Sequence, residues 1–144
     1  MVPQMRNLLL PVLLSALALG SRAATAQEDY DCTIERVESA DLTQLAILKL
    51  KRATYVGKRF TVERSTGLMA GALKNSYVTK PIVVDYGAPK QNSYKVVTTM
   101  RITEGAGYGS HLYVLVVDEF VEDPVKPFAF LDNDTTYFGI CRHF

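Results

Sequence analysis

The chain has 144 residues, of which 16 are Lys or Arg and 15 are Asp or Glu, so its formal net charge is +1 at pH 7. This length fits one domain behind a short leader. A charge so close to zero argues against nucleic acid as the partner, because domains that bind nucleic acid are usually strongly basic.

Residues 1–26 have the organisation of a secretory signal peptide. Arg6 supplies a basic start, residues 8–19 are almost entirely apolar, and Ala-Thr-Ala at 24–26 is a small-residue cleavage site. The apolar run is shorter than the roughly 20 residues that a membrane helix needs, and a buried N-terminal helix is the alternative. We therefore predict an exported protein, periplasmic or secreted, in which residues 27–144 form a single domain without a transmembrane segment.

Cys32 and Cys141 are the only cysteines and lie near the two ends of the predicted mature chain. Exported proteins meet an oxidising compartment, where paired cysteines usually form disulfides. A redox or metal-binding thiol would need neighbouring cysteines or a histidine cluster, and His143 alone does not supply one. We therefore predict a structural disulfide between Cys32 and Cys141.

The N-terminal part of the domain reads as one strand followed by one helix. Alternating side chains over residues 32–38 predict a short edge strand. Asp41 followed by Gln44 resembles a capping box, and good helix formers fill residues 42–54. A strand is the alternative for that stretch, because residues 48–51 alternate Leu and Lys.

From residue 58 onward the pattern predicts strands and turns. Residues 59–64 and 68–73 flank Ser-Thr-Gly, a three-residue turn in which Gly67 takes a positive φ. Residues 81–86 form a β-branched run before a turn cluster at 87–92. A last hairpin is predicted from residues 126–131 and 135–142, and it turns at Asn133 and Asp134.

Residues 93–120 predict the central hairpin, in which two β-rich runs flank a glycine-rich loop. The first run is apolar on one face only, whereas the second is apolar on both faces and therefore belongs inside the sheet. Pairing Thr103 with His111 matches apolar side chains across the strands. The same register places Lys95 opposite Glu119, a favourable cross-strand charge pair.

These elements predict an α+β domain that is mainly β. Short antiparallel strands joined by hairpins favour a meander or a partly closed barrel, with the N-terminal helix packed on it. A two-layer sandwich is the second architecture that the pattern allows.

The loop at residues 104–110 is the first candidate contact site. Its Gly-x-Gly-x-Gly run would bind a nucleotide only if a helix followed, and a strand follows instead. Tyr108 stands among the glycines, where its ring is accessible at low steric cost. Loops on rigid scaffolds often carry binding residues, so we predict that Tyr108 is exposed and, with Glu104, contacts a partner.

Histidines and acidic turns do not form a recognisable catalytic or metal motif. His111 would need an acid and a hydroxyl brought to it by the fold, and we include it only among the contact residues. Asp132, Asn133 and Asp134 superficially suggest calcium, but the further oxygen ligands are not spaced correctly. We predict no catalytic residue, no metal and no cofactor.

Basic residues cluster between positions 49 and 64, where Lys58 and Arg59 are adjacent. A later stretch, residues 118–134, is correspondingly acidic. Such runs either form solvated faces, pair with each other across the fold, or attract an anionic surface or glycan. Lys58 and Arg59 complete the predicted contact residues.

The function that the sequence favours is an exported, non-enzymatic binding or envelope-associated accessory domain. Its partner would be a protein, a glycan or a small apolar ligand. Two alternatives remain open. A cleft that joins His111 to an acid and a hydroxyl would indicate a small secreted hydrolase, and an empty apolar interior would indicate a carrier of a small apolar ligand.

Overall fold

A computed structural model describes residues 28–41, 43–88 and 90–144. The predicted signal peptide, residues 1–26, lies outside the described residues. Among those described, no helix has the length and apolar character needed to cross a membrane. In chain order the elements are β1 Tyr30–Ser39, α1 Leu45–Tyr55, β2 Arg59–Val62, β3 Met69–Gly71, β4 Ile82–Ala88, β5 Asn92–Met100, a 3-10 turn Ile102–Glu104, β6 His111–Val117, β7 Lys126–Asp132 and β8 Thr135–His143.

All eight strands belong to one antiparallel sheet in the order β3-β2-β1-β8-β7-β6-β5-β4. Strands β4 to β8 form a meander, and β8 then pairs with β1. The sheet curls into a half-barrel, and α1, the one α-helix among the described residues, packs against β1. This confirms the predicted mainly-β antiparallel fold with one helix.

The curl brings the two ends of the sheet order close together. The turn after β2 lies against β4 and β5, because a Cβ added to Gly67 would stand 2.6 Å from a methyl carbon of Val96. The Tyr86 hydroxyl also donates to the carbonyl of Ser65 at 3.2 Å. The half-barrel is therefore closed on this side by side-chain contacts instead of a strand ladder.

Gly139 allows part of this curvature. It pairs with Ile34 beside a register shift in β1 between Ile34 and Arg36. A Cβ at Gly139 would lie 2.0 Å from the carbonyl oxygen of Thr33. Only glycine therefore fits where the bulged strand crosses β8, and bulges of this kind increase strand twist.

The predicted disulfide is confirmed. Cys32 and Cys141 are direct partners on neighbouring strands β1 and β8, and their sulfur atoms are bonded. Both residues are fully buried in a core composed mainly of inward-facing strand residues. The bridge therefore ties the first strand of the domain to the last.

The first strand differs from its prediction. β1 is ten residues long and pairs with both β2 and β8, so it is an interior strand and not a short edge strand. The edges are β3 and β4 instead. Local alternation over residues 32–38 could not show this, because the partners of β1 come from residues 59–62 and 135–143.

The helix prediction is confirmed over Leu45–Tyr55, but the predicted capping box does not form. The cap position is Gln44, and no side chain caps the helix. The Asp41 carboxylate instead accepts hydrogen bonds from the backbone N–H of Thr43 at 2.8 Å and from the Gln44 amide at 2.7 Å. Asp41 thus stabilises the turn before the helix.

The outer hairpins form as predicted, with shorter strands at residues 59–73. Gly67 has a φ of +77°, as the three-residue turn requires. Asn75 supports this turn, since its amide group donates to the Gly67 carbonyl at 2.8 Å and accepts from the Met69 N–H at 3.0 Å. The last hairpin turns at Asn133 and Asp134, where Asn133 has a φ of +52°.

The predicted register of the central hairpin is wrong by three residues. Met100 pairs with His111, and Lys95 pairs with Val116 instead of Glu119. β5 stops at Met100 because the chain then enters the 3-10 turn, where the Glu104 carboxylate accepts the Arg101 N–H at 2.7 Å. Lys95 forms its ion pair with Asp85 of β4, at 3.1 Å.

Candidate functional site

The β5–β6 loop exposes Tyr108 completely. Gly105 and Gly107 have positive φ values of 90° and 78°, so the loop uses conformations that favour glycine. Glu104 is exposed, and its carboxylate is engaged by the backbone of Arg101. The geometry agrees with the predicted exposure of Tyr108, and a contact role for this loop stays a prediction.

His111 anchors this loop to the β7–β8 turn. Its Nδ1 accepts from the Asn133 amide at 3.1 Å, and its Nε2 lies 3.2 Å from the Ala106 carbonyl. An Nε2–H tautomer satisfies both contacts. The ring stacks on Tyr113 with centroids 6.0 Å apart. His111 lines a pocket of about 380 Å³ together with the hydroxyl residues Thr99 and Ser110, and none of its described lining residues is acidic.

Lys58 and Arg59 lie at the start of β2, which β1, β8 and β7 separate from β6 in the sheet. No hydrogen bond or ion pair between described residues joins them to the Tyr108 loop. Arg59 forms a two-point ion pair with Asp31, whereas Lys58 is exposed. Arg52 pairs with Glu38 at 2.6 Å. Part of the basic stretch is thus paired within the fold.

The interior holds a polar cluster centred on Glu119. The Arg64 and Glu119 side chains are only 7% and 3% exposed, and Arg64 Nη1 lies 3.2 Å from Glu119 Oε1. The Tyr30 hydroxyl donates to the same oxygen. His143 Nε2 also lies 3.0 Å from it. We call Tyr30, Arg64, Tyr94, Glu119 and His143 the Glu119 cluster.

The Glu119 cluster joins segments that are distant in sequence. The Tyr94 hydroxyl donates to the Arg64 carbonyl at 2.9 Å, and Arg64 Nη2 donates to the Tyr86 carbonyl at 2.6 Å. Burial raises the pKa of both Tyr30 and Tyr94, and the hydrogen bond to Glu119 raises that of Tyr30 further. Both hydroxyls therefore stay protonated at neutral pH. The cluster joins β1, β5 and β8 to the segments that follow β2 and β6.

A second group of polar and aromatic side chains opens to solvent. A pocket of about 270 Å³ lies between the end of α1, the connection after β3 and the β7–β8 hairpin. We call it the tyrosine pocket. Its lining residues are Tyr55, Gly71, Ala72, Leu73, Lys74, Tyr77, Phe130, Asp132 and Tyr137.

The aromatic rings of the tyrosine pocket form one packed series. Tyr55 and Tyr137 meet edge to face with centroids 5.2 Å apart, and Tyr137 lies 6.1 Å from Phe130. Phe130 is stacked with Tyr113 at 6.1 Å, and Tyr113 lies 6.4 Å from Tyr77. These contacts hold the rings in place, so the shape of the pocket is set by the fold.

Unpaired polar atoms face this series. The Tyr137 ring is buried, with only 3% of the residue exposed, and its hydroxyl opens into the pocket without a hydrogen bond to a described residue. Burial raises its pKa, with Tyr55 and Asp132 nearby adding to the effect. Asp132 Oδ1 accepts from the Asn133 amide at 3.2 Å, and no described donor reaches Oδ2. A buried ring with an unpartnered hydroxyl beside a carboxylate is typical of a binding site.

Burial also raises the pKa of Asp132, and the nearby Lys51 charge, with a smaller contribution from His111, only partly opposes this. The pKa of Tyr113 is also raised, mainly by burial and then by the charge of Asp132. Asp132 therefore lies within electrostatic reach of two tyrosine hydroxyls. Perturbed groups that converge in a pocket mark a candidate functional site.

A second concave surface is a groove of about 590 Å³ beside β4. Leu68, Val78, Val83 and Tyr86 contribute apolar surface, and Lys80 is its only charged lining residue. The neighbouring face of β4 exposes further apolar side chains. The groove lacks the convergence of polar groups found in the tyrosine pocket.

The described residues contain no group of three His, Cys, Asp or Glu side chains that could hold a metal ion. Asp132, Asn133 and Asp134 form the predicted turn, and their side chains are engaged by neighbours in that turn. Asp132 belongs to the tyrosine pocket through its position at the end of β7.

Sequence reasoning missed the tyrosine pocket, although one signal was present. Phe128, Phe130 and Asp132 alternate along β7, so they share the inward face. A carboxylate that continues an apolar face is unusual and indicates a site at the strand end. The tyrosines could not be joined to it from sequence, because α1, the β3–β4 connection and β8 bring them from distant segments.

Comparison with protein-family models, with curated proteins and with solved structures finds no match for this chain.

Proposed function

We propose that this chain is an exported, non-enzymatic binding domain whose contact site is the tyrosine pocket. The observation that carries the proposal is the Tyr137 hydroxyl, which has no described partner, lines the pocket at the end of a buried ring and lies near the half-buried Asp132. A hydroxyl and a carboxylate that open into one pocket can exchange water for the polar atoms of a ligand.

The contents of the half-barrel argue against the carrier alternative. An apolar ligand inside the sheet would need empty space, but large side chains such as Tyr30, Phe60 and Tyr94 fill the interior. The Glu119 cluster also places charged groups there. Ligand contact at the rim of the half-barrel fits this packing better than ligand storage inside it.

The two histidines argue against the hydrolase alternative. General-base catalysis needs a nitrogen that can reach a reacting proton. In His111 both ring nitrogens face protein groups. In His143, Nε2 faces Glu119 at 3.0 Å and Nδ1 lies 3.4 Å from the Glu28 carbonyl.

The disulfide and the leader-like segment support export. A bridge between Cys32 and Cys141 persists in oxidising compartments and is rare in the cytosol. Intact-mass measurement of the protein recovered outside the cytoplasm tests this part of the proposal. A chain that begins at Gln27 is expected, and a chain that retains residues 1–26 would contradict it.

The binding role is tested by incubating the purified mature chain with an envelope extract of the producing cells. Native mass spectrometry then detects what remains bound. Wild type is expected to retain a ligand that the Asp132→Asn/Tyr137→Phe double variant does not. Glu122→Gln is the control, because it neutralises an exposed carboxylate outside the pocket lining. Equal spectra for wild type and the double variant would contradict the proposal.

A further inference from the structure

We propose that the tyrosine pocket binds one sugar unit of a neutral glycan. This inference rests on the proposed binding role and names the ligand class. Three features of the pocket support this assignment: the charge of its lining, its hydrogen-bonding groups and the position of Tyr77 at its rim.

The charges of the pocket favour a neutral ligand. Among the lining residues, Asp132 is the only acid and Lys74 the only base. Lys51 lies nearby, with its Nζ 2.6 Å from Thr135 Oγ1, and its charge acts on Asp132. A strongly anionic ligand would meet Asp132, and a cation would meet the two lysines. Neither sign of charge is clearly preferred.

The hydrogen-bonding groups favour a ligand rich in hydroxyls. Tyr137 offers a hydroxyl that burial keeps protonated, Asp132 Oδ2 is an acceptor, and the Lys74 ammonium is a donor. A hydroxyl both donates and accepts, so adjacent hydroxyls on a sugar match this mixture. An apolar ligand would instead desolvate these groups without replacing their hydrogen bonds.

The aromatic residues supply the remaining contact. Sugars have faces of C–H groups that pack against aromatic rings, and Tyr77 presents such a ring with 68% of its surface exposed. Tyr55 contributes a second, half-buried ring to the pocket lining. The volume of about 270 Å³ lies just below the usual range for ligand sites, which suits a single sugar ring. Further units of a chain would extend over Tyr77 into solvent.

The test is isothermal titration calorimetry of the disulfide-bonded mature chain with three neutral trisaccharides: cellotriose, maltotriose and triacetylchitotriose. At least one is expected to bind with a dissociation constant below about 5 mM. Asp132→Asn and Tyr137→Phe should each weaken that binding at least tenfold. Glu122→Gln, which removes an exposed charge that pairs with Lys90, should leave it unchanged. Circular dichroism and thermal melting confirm that each variant is folded.

Choline is titrated as the competing probe, because aromatic rings beside a carboxylate also bind organic cations. Binding of choline without binding of any trisaccharide would overturn the glycan assignment and leave the proposed binding role intact. Trisaccharide binding that neither pocket variant weakens would place the sugar elsewhere and also overturn the inference. Failure of all four probes overturns the glycan assignment, and the envelope-extract experiment then decides separately whether the domain binds a ligand.

Discussion

Replacing Glu119 with glutamine should destabilise the domain strongly. Glu119 Oε1 faces three groups, Tyr30, Arg64 and His143. The substitution keeps the size of the side chain but removes its charge, and it leaves the Arg64 guanidinium buried without a counter-ion. At 3.2 Å the attraction between the two charges is about 5 kcal/mol at an effective dielectric constant near 20.

The measured loss should be close to that value. Removing one partner of a buried ion pair typically costs about 3–5 kcal/mol, because the other charge stays desolvated. For a domain of this size the loss corresponds to a fall in Tm of roughly 10–20 °C. Urea unfolding followed by circular dichroism gives the free energy, and calorimetry gives the Tm.

Two further variants separate the ion pair from general disruption. Arg64→Met combined with Glu119→Gln should lose less than the sum of the two single losses, because neither charge remains unpaired. Glu122→Gln is the matched control, since Glu122 pairs with Lys90 at the exposed surface and should leave stability unchanged. A loss below about 1 kcal/mol for Glu119→Gln, or strict additivity in the double variant, would refute the reasoning.

Three other predictions concern the disulfide, the tyrosines and the β5–β6 loop. Replacing Cys32 and Cys141 with serine should lower the free energy of unfolding by a few kcal/mol, up to about 4–5, without changing the fold. Free thiols that titrate in the native oxidised protein would contradict the bridge. The free energy of unfolding should fall as the pH rises above the unfolded tyrosine pKa of 10.0, because buried tyrosines such as Tyr94 ionise only at higher pH in the folded state. Urea titrations at successive pH values measure this dependence, and Tyr94→Phe should make it less steep. Replacing residues 101–110 with Asn-Gly should leave the melting temperature equal or higher, because Met100 and His111 already pair across the strands; a loss of fold would show that the loop is structural.

Local pattern was sufficient for most elements of this fold. The turns at Gly67 and Asn133 follow from the conformational preferences of those residues. The helix at Leu45–Tyr55 and the pairing of Cys32 with Cys141 were predicted too. In each case the deciding information lies in one short segment or in a single possible pair.

The register of the central hairpin could not be predicted from the sequence because β6 is apolar on both faces. Alternation therefore could not decide whether Leu112 or Tyr113 belongs to the buried face, and the structure buries Tyr113. Charge pairing could not decide the register either, because Glu119 can meet a basic side chain in both arrangements. Its true partner, Arg64, comes from a turn that no hairpin rule connects to it.

The candidate site was harder to predict than the fold because its residues come from five separate segments. Tyr108 was singled out from its glycine neighbours, a property of one loop. Tyr55, Tyr77 and Tyr137 acquire their relation to Asp132 only when α1 and the β3–β4 connection fold against β7 and β8. Nothing in their sequence spacing indicates that relation.

Chemical-shift mapping of the ¹⁵N-labelled mature chain shows where on the domain a ligand binds. The protein is titrated with the small-molecule and glycan fraction of an envelope extract. Binding at the tyrosine pocket predicts saturable shifts of the Leu73, Lys74, Asp132 and Tyr137 amides, which the Asp132→Asn/Tyr137→Phe variant loses. An unchanged spectrum at these amides, or shifts confined to residues 104–110, would contradict the claim.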